Sequence, residues 1–151
     1  MFENIRNNFP FFKNNPKLVF LDTAASAQKP QSVIDSVTNC YSSEYANINR
    51  GVYKISSSLT EKYENVRLKT SKYINAENED NVIFTKSATE AINLVASCFS
   101  EKYLDSGDEI LLSYLEHHAN IVPWQLAAKK KGFKIITINI NKEGQLDYDD
   151  L

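Results

Sequence analysis

The sequence predicts an α/β protein in which a parallel-rich sheet is flanked by helices. Between Asn81 and Asn139, short apolar runs of strand length alternate with amphipathic stretches of helix length. This alternation is typical of βαβ units, whose crossovers place helices on the faces of a parallel sheet. The 151 residues are 42% hydrophobic and 24% charged, which is an ordinary composition for a globular domain.

The first half of the chain predicts more helix than sheet. We expect irregular structure through the first 30 residues, apart from a short apolar strand at 18–21. A helix is expected after Pro30, where apolar residues recur at helical spacing. The stretch 47–57 has no clear period and predicts a loop. The capping-box pattern at 58–61 then predicts a second helix that runs to about Asn75.

The second half predicts three strands with a helix after each of the first two. The predicted strands are 82–85, 109–113 and 134–139. A capping box at 87–90 predicts the start of a helix that reaches about Leu104. Gly132 predicts the end of a helix that starts at Ala119. The hydrophilic residues from Glu143 onward predict the beginning of another helix.

Charge and hydropathy exclude several classes of protein. The formal charge is −2, and the one lysine run, 129–131, precedes a predicted helix end, where cations favour the helix dipole. No basic stripe accompanies it, so we expect no nucleic-acid binding. No apolar run approaches the roughly 20 residues of a membrane span, and the start of the chain lacks a signal-peptide core. We therefore expect a soluble, cytoplasmic protein.

The two cysteines predict packing rather than chemistry. Cys40 and Cys98 each lie in a predicted amphipathic helix and form no CxxC pattern. We expect buried structural thiols rather than a disulfide, a metal site or a nucleophile.

Residues 87–90 are a candidate anion site. A helix N-terminus combines backbone N–H donors that lack helical acceptors with the positive end of the helix dipole, and both favour a phosphate. Ala88 and Thr89 would present these donors. Most capping boxes hold no ligand, however, so an anion site and a plain helix cap both stay open.

Two further features could carry chemistry. His117 and His118 follow a predicted strand and precede a helix; an imidazole there can stack on a planar cofactor and exchange protons near neutral pH. Hydrogen bonding at the helix start is the simpler alternative, and zinc is disfavoured because no third ligand is evident. Arg50, in a loop beside Gly51, could clamp a substrate carboxylate or form a surface ion pair.

Four ordered blocks carry a resemblance to a known family. They are LDTAASAQKP at 21–30, NRG at 49–51, SATEAINLV at 87–95 and EHHANIVPWQ at 116–125. Together they resemble the class V aminotransferase family, and among its members the cysteine desulfurases of the Suf type. The resemblance covers essentially the whole chain.

This resemblance implies a fold and an activity. The fold is the large domain of a fold-type-I transferase that depends on pyridoxal 5′-phosphate. Residues 1–46 would be an N-terminal segment with the first helix, and 47–151 the start of the cofactor-binding domain. The implied enzyme is a homodimer that converts L-cysteine to L-alanine, keeps the sulfur as an enzyme persulfide, and passes it to a Suf acceptor protein for iron–sulfur cluster assembly.

The resemblance also assigns roles to residues. Ala88 and Thr89 match the family's phosphate-contacting pair, and His117 matches the residue that stacks on the pyridine ring and assists proton transfer. Arg50 matches a position near the substrate. Asn49 departs from the family, since many Suf-type members have histidine there.

The family's cofactor lysine, the aspartate that pairs with the pyridinium nitrogen, and the nucleophilic cysteine all lie downstream of Leu151. We therefore expect the chain to be a truncated N-terminal portion, inactive by itself. The alternatives are another class V enzyme, such as a selenocysteine lyase or an aminotransferase, and a non-catalytic remnant with a binding or regulatory role.

Overall fold

The computed structural model describes residues 2–150 and divides them into two compact units. The first unit ends at Val82 and the second begins at Ile83. The first is helical, and the second contains a small parallel sheet. The expected division into 1–46 and 47–151 refers to a longer domain and stays a prediction.

The first unit contains four α-helices, and a π-helical turn at Cys40–Glu44 follows the third. The helices are α1 (Phe2–Arg6), α2 (Pro10–Asn14), α3 (Gln31–Asn39) and α4 (Lys54–Tyr73). Pro10 starts α2, where its fixed φ suits the first turn. Aromatic rings from α2 and from Phe20 meet edge to face, with ring centroids 5.7 Å apart for Phe11 and Phe20.

Three expectations for the first unit are wrong. Two short helices occupy part of the first 30 residues, which were expected to be irregular. The segment 18–21 is not a strand: no neighbouring strand lies beside it, and Val19 and Leu21 are 76% and 90% exposed. The second helix begins at Lys54 rather than near Ser58, because the backbone N–H of Ser57 already bonds to the carbonyl of Tyr53 (3.1 Å).

The second unit is a helix followed by a βαβ unit. Its elements are α5 (Ala88–Tyr103), β1 (Glu109–Ser113), α6 (Val122–Lys131) and β2 (Lys134–Ile138). The two strands pair in parallel, from Glu109 beside Lys134 to Ser113 beside Ile138. The strands predicted at 109–113 and 134–139 are confirmed, as is the helix that begins after Ser87.

A small core holds the second unit together, and α5 and α6 pack over it. The buried apolar residues of this unit include Ala96, Leu104, Leu112, Phe133 and Ile138. Near the carboxyl ends of the two helices, Lys130 forms an ion pair with Glu101 at 3.1 Å. A 3-10 turn at His118–Asn120, just before α6, also contacts α5. The two helices therefore run in the same direction and begin at the same end of the unit.

Other expectations for the second unit need correction. The segment 82–85 is not part of the sheet, which has two strands within residues 2–150, and Ile83 is 70% exposed. The helix expected from Ala119 is divided into the 3-10 turn and α6, with Pro123 in the first turn of α6. After β2, an isolated antiparallel bridge joins Ile140 to Leu146, and only a short 3-10 turn follows.

The two cysteines differ in their exposure. Cys98 is exposed and Cys40 is half-buried, so the prediction of two buried thiols is wrong. The exposed face of α5 carries Cys98, whereas Ala96 on the same helix is buried. Within residues 2–150, no helix has the length and apolar character needed to cross a bilayer.

Gly132 should be intolerant of a side chain. It ends α6 in the left-handed conformation (φ 83°), and its N–H bonds to the carbonyl of Ala128 at 2.8 Å. Gly132→Ala should lower the free energy of unfolding in urea by about 1–2 kcal/mol, because L-residues with a Cβ are strained in this region. Gly132→Asn should cost less, since Asn adopts this conformation more readily.

The matched control is Lys129→Ala, on an exposed position of the same helix. It should leave the free energy of unfolding within about 0.5 kcal/mol of that of the parent chain. A Gly132→Ala chain as stable as the parent would contradict this assignment of the helix end.

Candidate functional site

The start of α5 is capped by Ser87 as the sequence predicts, with one difference in the partner of Glu90. The backbone N–H of Glu90 donates to Ser87 Oγ at 3.2 Å. The Glu90 carboxylate in turn accepts from the N–H of Lys86 at 2.6 Å, one residue earlier than in the usual capping box. The first helical bond runs from the N–H of Ala91 to the carbonyl of Ser87. The cap is therefore complete without using the two residues between Ser87 and Glu90.

Those two residues, Ala88 and Thr89, keep their backbone donors available. In the described part of the chain, neither N–H has an acceptor, and both residues are exposed. They lie in the first turn of a 16-residue helix, at the positive end of its dipole. Two N–H donors and the hydroxyl of Thr89 are the kind of groups that bind a phosphate.

His117 lies beyond the carboxyl end of β1, where ligands gather in parallel sheets. Its Nδ1 accepts a hydrogen bond from the N–H of Ala119 at 3.1 Å. In a neutral ring, this bond assigns the proton to Nε2. The simpler alternative from the sequence, a histidine that bonds at a helix start, is therefore realised. The ring is nevertheless exposed and has a donor to offer.

A hydrogen-bonded network surrounds this turn. The Glu116 carboxylate accepts from Ser113 Oγ and from Asn120 Nδ2, each at 2.8 Å. Asn120 Oδ1 then accepts from the indole N–H of Trp124 at 3.1 Å. The hydrogen bond from Asn120 and then that from Ser113 lower the pKa of the Glu116 carboxyl below its ordinary value. We refer to these four residues as the Glu116 network.

The sequence interpretation missed this network. The available signal was the spacing: Glu116, Asn120 and Trp124 are each four residues apart, which places polar groups on one side of a helical path. His118, by contrast, is exposed, and its ring lies edge to face with the ring of His117, with centroids 6.3 Å apart.

The two candidate features come together at one end of the second unit. Since α5 and α6 run in the same direction, the free N–H groups at the start of α5 lie at the end where the His118–Asn120 turn precedes α6. A groove between the helices confirms the alignment, with Asn93 near Pro123 at one end and Glu101 near Lys130 at the other. The two backbone N–H groups without acceptors and an exposed imidazole therefore occur on the same end of the second unit.

Arg50 belongs to the first unit and is exposed there. Its loop is fixed on both sides. The N–H of Asn49 donates to Thr60 Oγ1 at 3.1 Å, and a Cβ at Gly51 would overlap the buried side chain of Ser56. Asn49 has a φ of 72°, a left-handed conformation in which both Asn and His are enriched. The site described in the second unit does not include Arg50.

Other site types find no support in residues 2–150. No group of three or more His, Cys, Asp or Glu side chains is placed to hold a metal ion. A cavity of about 510 Å³ in the first unit is lined by residues of α3, of the π-helical turn that follows it and of α4, and none of the predicted site residues lines it.

Comparison with known proteins identifies the class of protein. The family model described as aminotransferase class V matches residues 19–151, and the chain belongs to this family. The resemblance of the four sequence blocks is therefore confirmed.

The particular relatives are cysteine desulfurases. The chain is 43% identical over 153 residues to cysteine desulfurase SufS of Plasmodium falciparum (isolate 3D7), a match that covers 99% of this chain and 28% of that protein. It is 43% identical over 148 residues to the cysteine desulfurase of Serratia proteamaculans (strain 568), covering 96% of this chain and 36% of the relative. The chain thus spans only about a third of the length of these relatives.

Solved structures agree with this assignment. The apo cysteine desulfurase from Thermococcus onnurineus NA1 superposes with a TM-score of 0.89 at 33% identity, over 98% of this chain and 36% of that one. The cysteine desulfurase CsdA from Escherichia coli gives a TM-score of 0.82 at 35% identity, over 97% and 36%. The predicted fold class, part of a fold-type-I α/β large domain, is confirmed.

The Glu116 network should respond to acid. Because the folded pKa of Glu116 lies below the ordinary glutamate value of about 4.3, its stabilising contribution is complete above that value and is lost as the pH falls through the folded pKa. The fluorescence of Trp124, the single tryptophan, should therefore stay constant down to about pH 4 and change below it.

Glu116→Gln removes the titrating group and should abolish this step, whereas Glu109→Gln, at the start of the preceding strand β1, should retain it. Circular dichroism recorded in parallel separates the local step from unfolding. A Glu116→Gln chain with an unchanged step would show that another carboxyl is responsible.

Proposed function

We propose that this chain forms the cofactor-phosphate and ring-stacking part of a cysteine desulfurase that depends on pyridoxal 5′-phosphate. The enzyme converts L-cysteine to L-alanine and holds the sulfur as an enzyme persulfide. Family membership and the names of the relatives support the reaction class. The single observation that carries the proposal is the placement of free N–H donors at Ala88 and Thr89 on the same end of the unit as the exposed His117 ring.

The residues present fit the cofactor's two recognisable groups. Its phosphate matches the N–H groups of Ala88 and Thr89 and the Thr89 hydroxyl. Its planar ring matches the imidazole of His117, which can stack on it and present the Nε2 proton. When bound, pyridoxal phosphate supplies the electron sink that the desulfurase reaction needs. Hydrogen bonds of the Ser87 cap and of the Glu116 network hold the two turns that carry these donors.

Arg50 is proposed to bind the carboxylate of L-cysteine. Its guanidinium presents a planar fork of donors that matches a carboxylate. Support comes from its exposure and from the fixed loop around it, in which Asn49 and Gly51 are held against α4. Asn49 cannot transfer protons as a histidine could, so we propose that it shapes this loop only.

The remaining expectations extend the proposal to the whole enzyme. We propose that it acts as a cytoplasmic homodimer and passes sulfur to a Suf acceptor protein for iron–sulfur cluster assembly, in line with the SufS name of one relative. We also propose that the cofactor lysine and the nucleophilic cysteine lie outside residues 1–151, which represent the N-terminal segment and the start of the cofactor domain. These residues alone would then bind the cofactor without turnover.

Binding can be tested with pyridoxine 5′-phosphate, which keeps the ring and the phosphate but has no aldehyde to react with surface lysines. The fluorescence of Trp124 reports binding. His117→Ala should raise the dissociation constant about two- to tenfold, which is the loss of affinity expected when one stacking contact is removed.

His118→Ala is the matched control and should bind within about twofold of the parent chain, because its neighbour makes the proposed contact. When the parent chain is incubated with pyridoxal phosphate and L-cysteine, it should form no more alanine than the same mixture forms without protein. Equal binding by both histidine variants and the parent would remove His117 from the proposed site.

A further inference from the structure

We propose that Glu116 is the positioning residue of the His117 turn, a carboxylate that fixes which ring nitrogen of His117 carries the proton. The use of that proton rests on the proposed function, but the fixing itself is a property of this chain alone. We assign it no contact with a substrate or cofactor group. It acts through the turn that it holds.

The contacts of Glu116 bracket His117 on both sides. Oε1 accepts from the hydroxyl of Ser113, the last residue of β1, and Oε2 accepts from the side-chain amide of Asn120, the last residue of the 3-10 turn, each at 2.8 Å. One carboxylate thus joins the end of β1 at Ser113 to the end of the turn at Asn120. His117 lies inside the loop that these two bonds close.

The amide of Asn120 has no freedom to flip. The indole N–H of Trp124 can only donate, so the Asn120 oxygen must face it, and the amide nitrogen must then face the carboxylate. The backbone N–H of Asn120 also donates to the carbonyl of His117 at 2.8 Å. The side chain and the backbone of Asn120 therefore both form hydrogen bonds that hold the turn.

These bonds determine the state of the imidazole. The turn places the N–H of Ala119 at 3.1 Å from His117 Nδ1, which must accept and leaves the proton on Nε2. A turn released from Glu116 would lose the two bonds that hold its ends. Both neutral ring forms would then become populated, and Nε2 would no longer be a fixed donor.

The half-buried setting strengthens the network. Ser113, Glu116 and Asn120 are all part-buried, and hydrogen bonds to an ionised carboxylate are stronger than those between neutral groups. The lowered pKa of Glu116 is consistent with a carboxylate that stays charged through the neutral range. No lysine or arginine pairs with it among the described residues, so its partners are the two neutral donors.

The test compares glutamate replacements on the 151-residue chain without cofactor. Long-range ¹H–¹⁵N correlation spectra of the imidazoles show which nitrogen is protonated, and hydrogen exchange measures protection of the Ala119 amide. The parent should show one Nε2-protonated form of His117. Glu116→Ala should show a mixture of forms and at least about tenfold faster Ala119 exchange, which corresponds to about 1.4 kcal/mol of lost protection.

The conservative variant separates positioning from general stability. Glu116→Gln can still accept from Asn120 and donate to Ser113 Oγ, so it should restore the single ring form. Glu109→Ala, at the start of β1, is the matched control and should leave the ring form of His117 unchanged. Should Glu116→Ala fail to fold, Ser113→Ala removes only one of the two bonds and should give a partial mixture.

Three results would overturn the proposal. The first is a single ring form of His117 in a folded Glu116→Ala chain, or, where that chain does not fold, a single ring form in Ser113→Ala. The others are a Glu116→Gln chain with the same mixture of ring forms as Glu116→Ala, and a Ser113→Ala chain indistinguishable from the parent. These outcomes are separate from the proposed function. If the parent chain shows the expected ring form but does not bind pyridoxine 5′-phosphate, that result counts against cofactor binding and leaves the role of Glu116 intact.

Discussion

Parallel pairing of β1 with β2 is the constraint on which the second unit depends. Two parallel neighbours cannot be joined by a hairpin, so the chain must leave the carboxyl end of β1 and return to the beginning of β2. The turn that contains His117 and the helix α6 make this return, and Gly132 ends it. The position of the candidate site at the carboxyl end of β1 is therefore a consequence of strand direction.

The sequence predicted the parts whose signals are local. The capping box at Ser87, the helix stop at Gly132 and the paired strands can each be read from a few neighbouring residues, and the structure contains them. The segments 18–21 and 82–85 have the composition of strands but are not in the sheet. Strand formation needs backbone partners from elsewhere in the chain, which composition cannot report.

In the candidate site, too, features with a local sequence signal were predictable and features that depend on folded contacts were not. Ala88, Thr89 and His117 were singled out from the sequence because a helix start and a rare residue type are visible there. The Glu116 network was not, since its meaning lies in hydrogen bonds between side chains that only the folded turn brings together. The family resemblance supplied roles for the first three residues and none for Glu116, whose proposed part comes from geometry alone.

The central claim is that the start of α5 binds the phosphate of a pyridoxal-type cofactor. Backbone amide spectra of ¹⁵N-labelled chain, titrated with pyridoxine 5′-phosphate and separately with phosphate-free pyridoxine, test it most directly. We expect saturable shifts of the Ala88 and Thr89 amides with the phosphate ester and none with pyridoxine. Equal shifts with both compounds, or unperturbed amides at these two residues while others move, would contradict it.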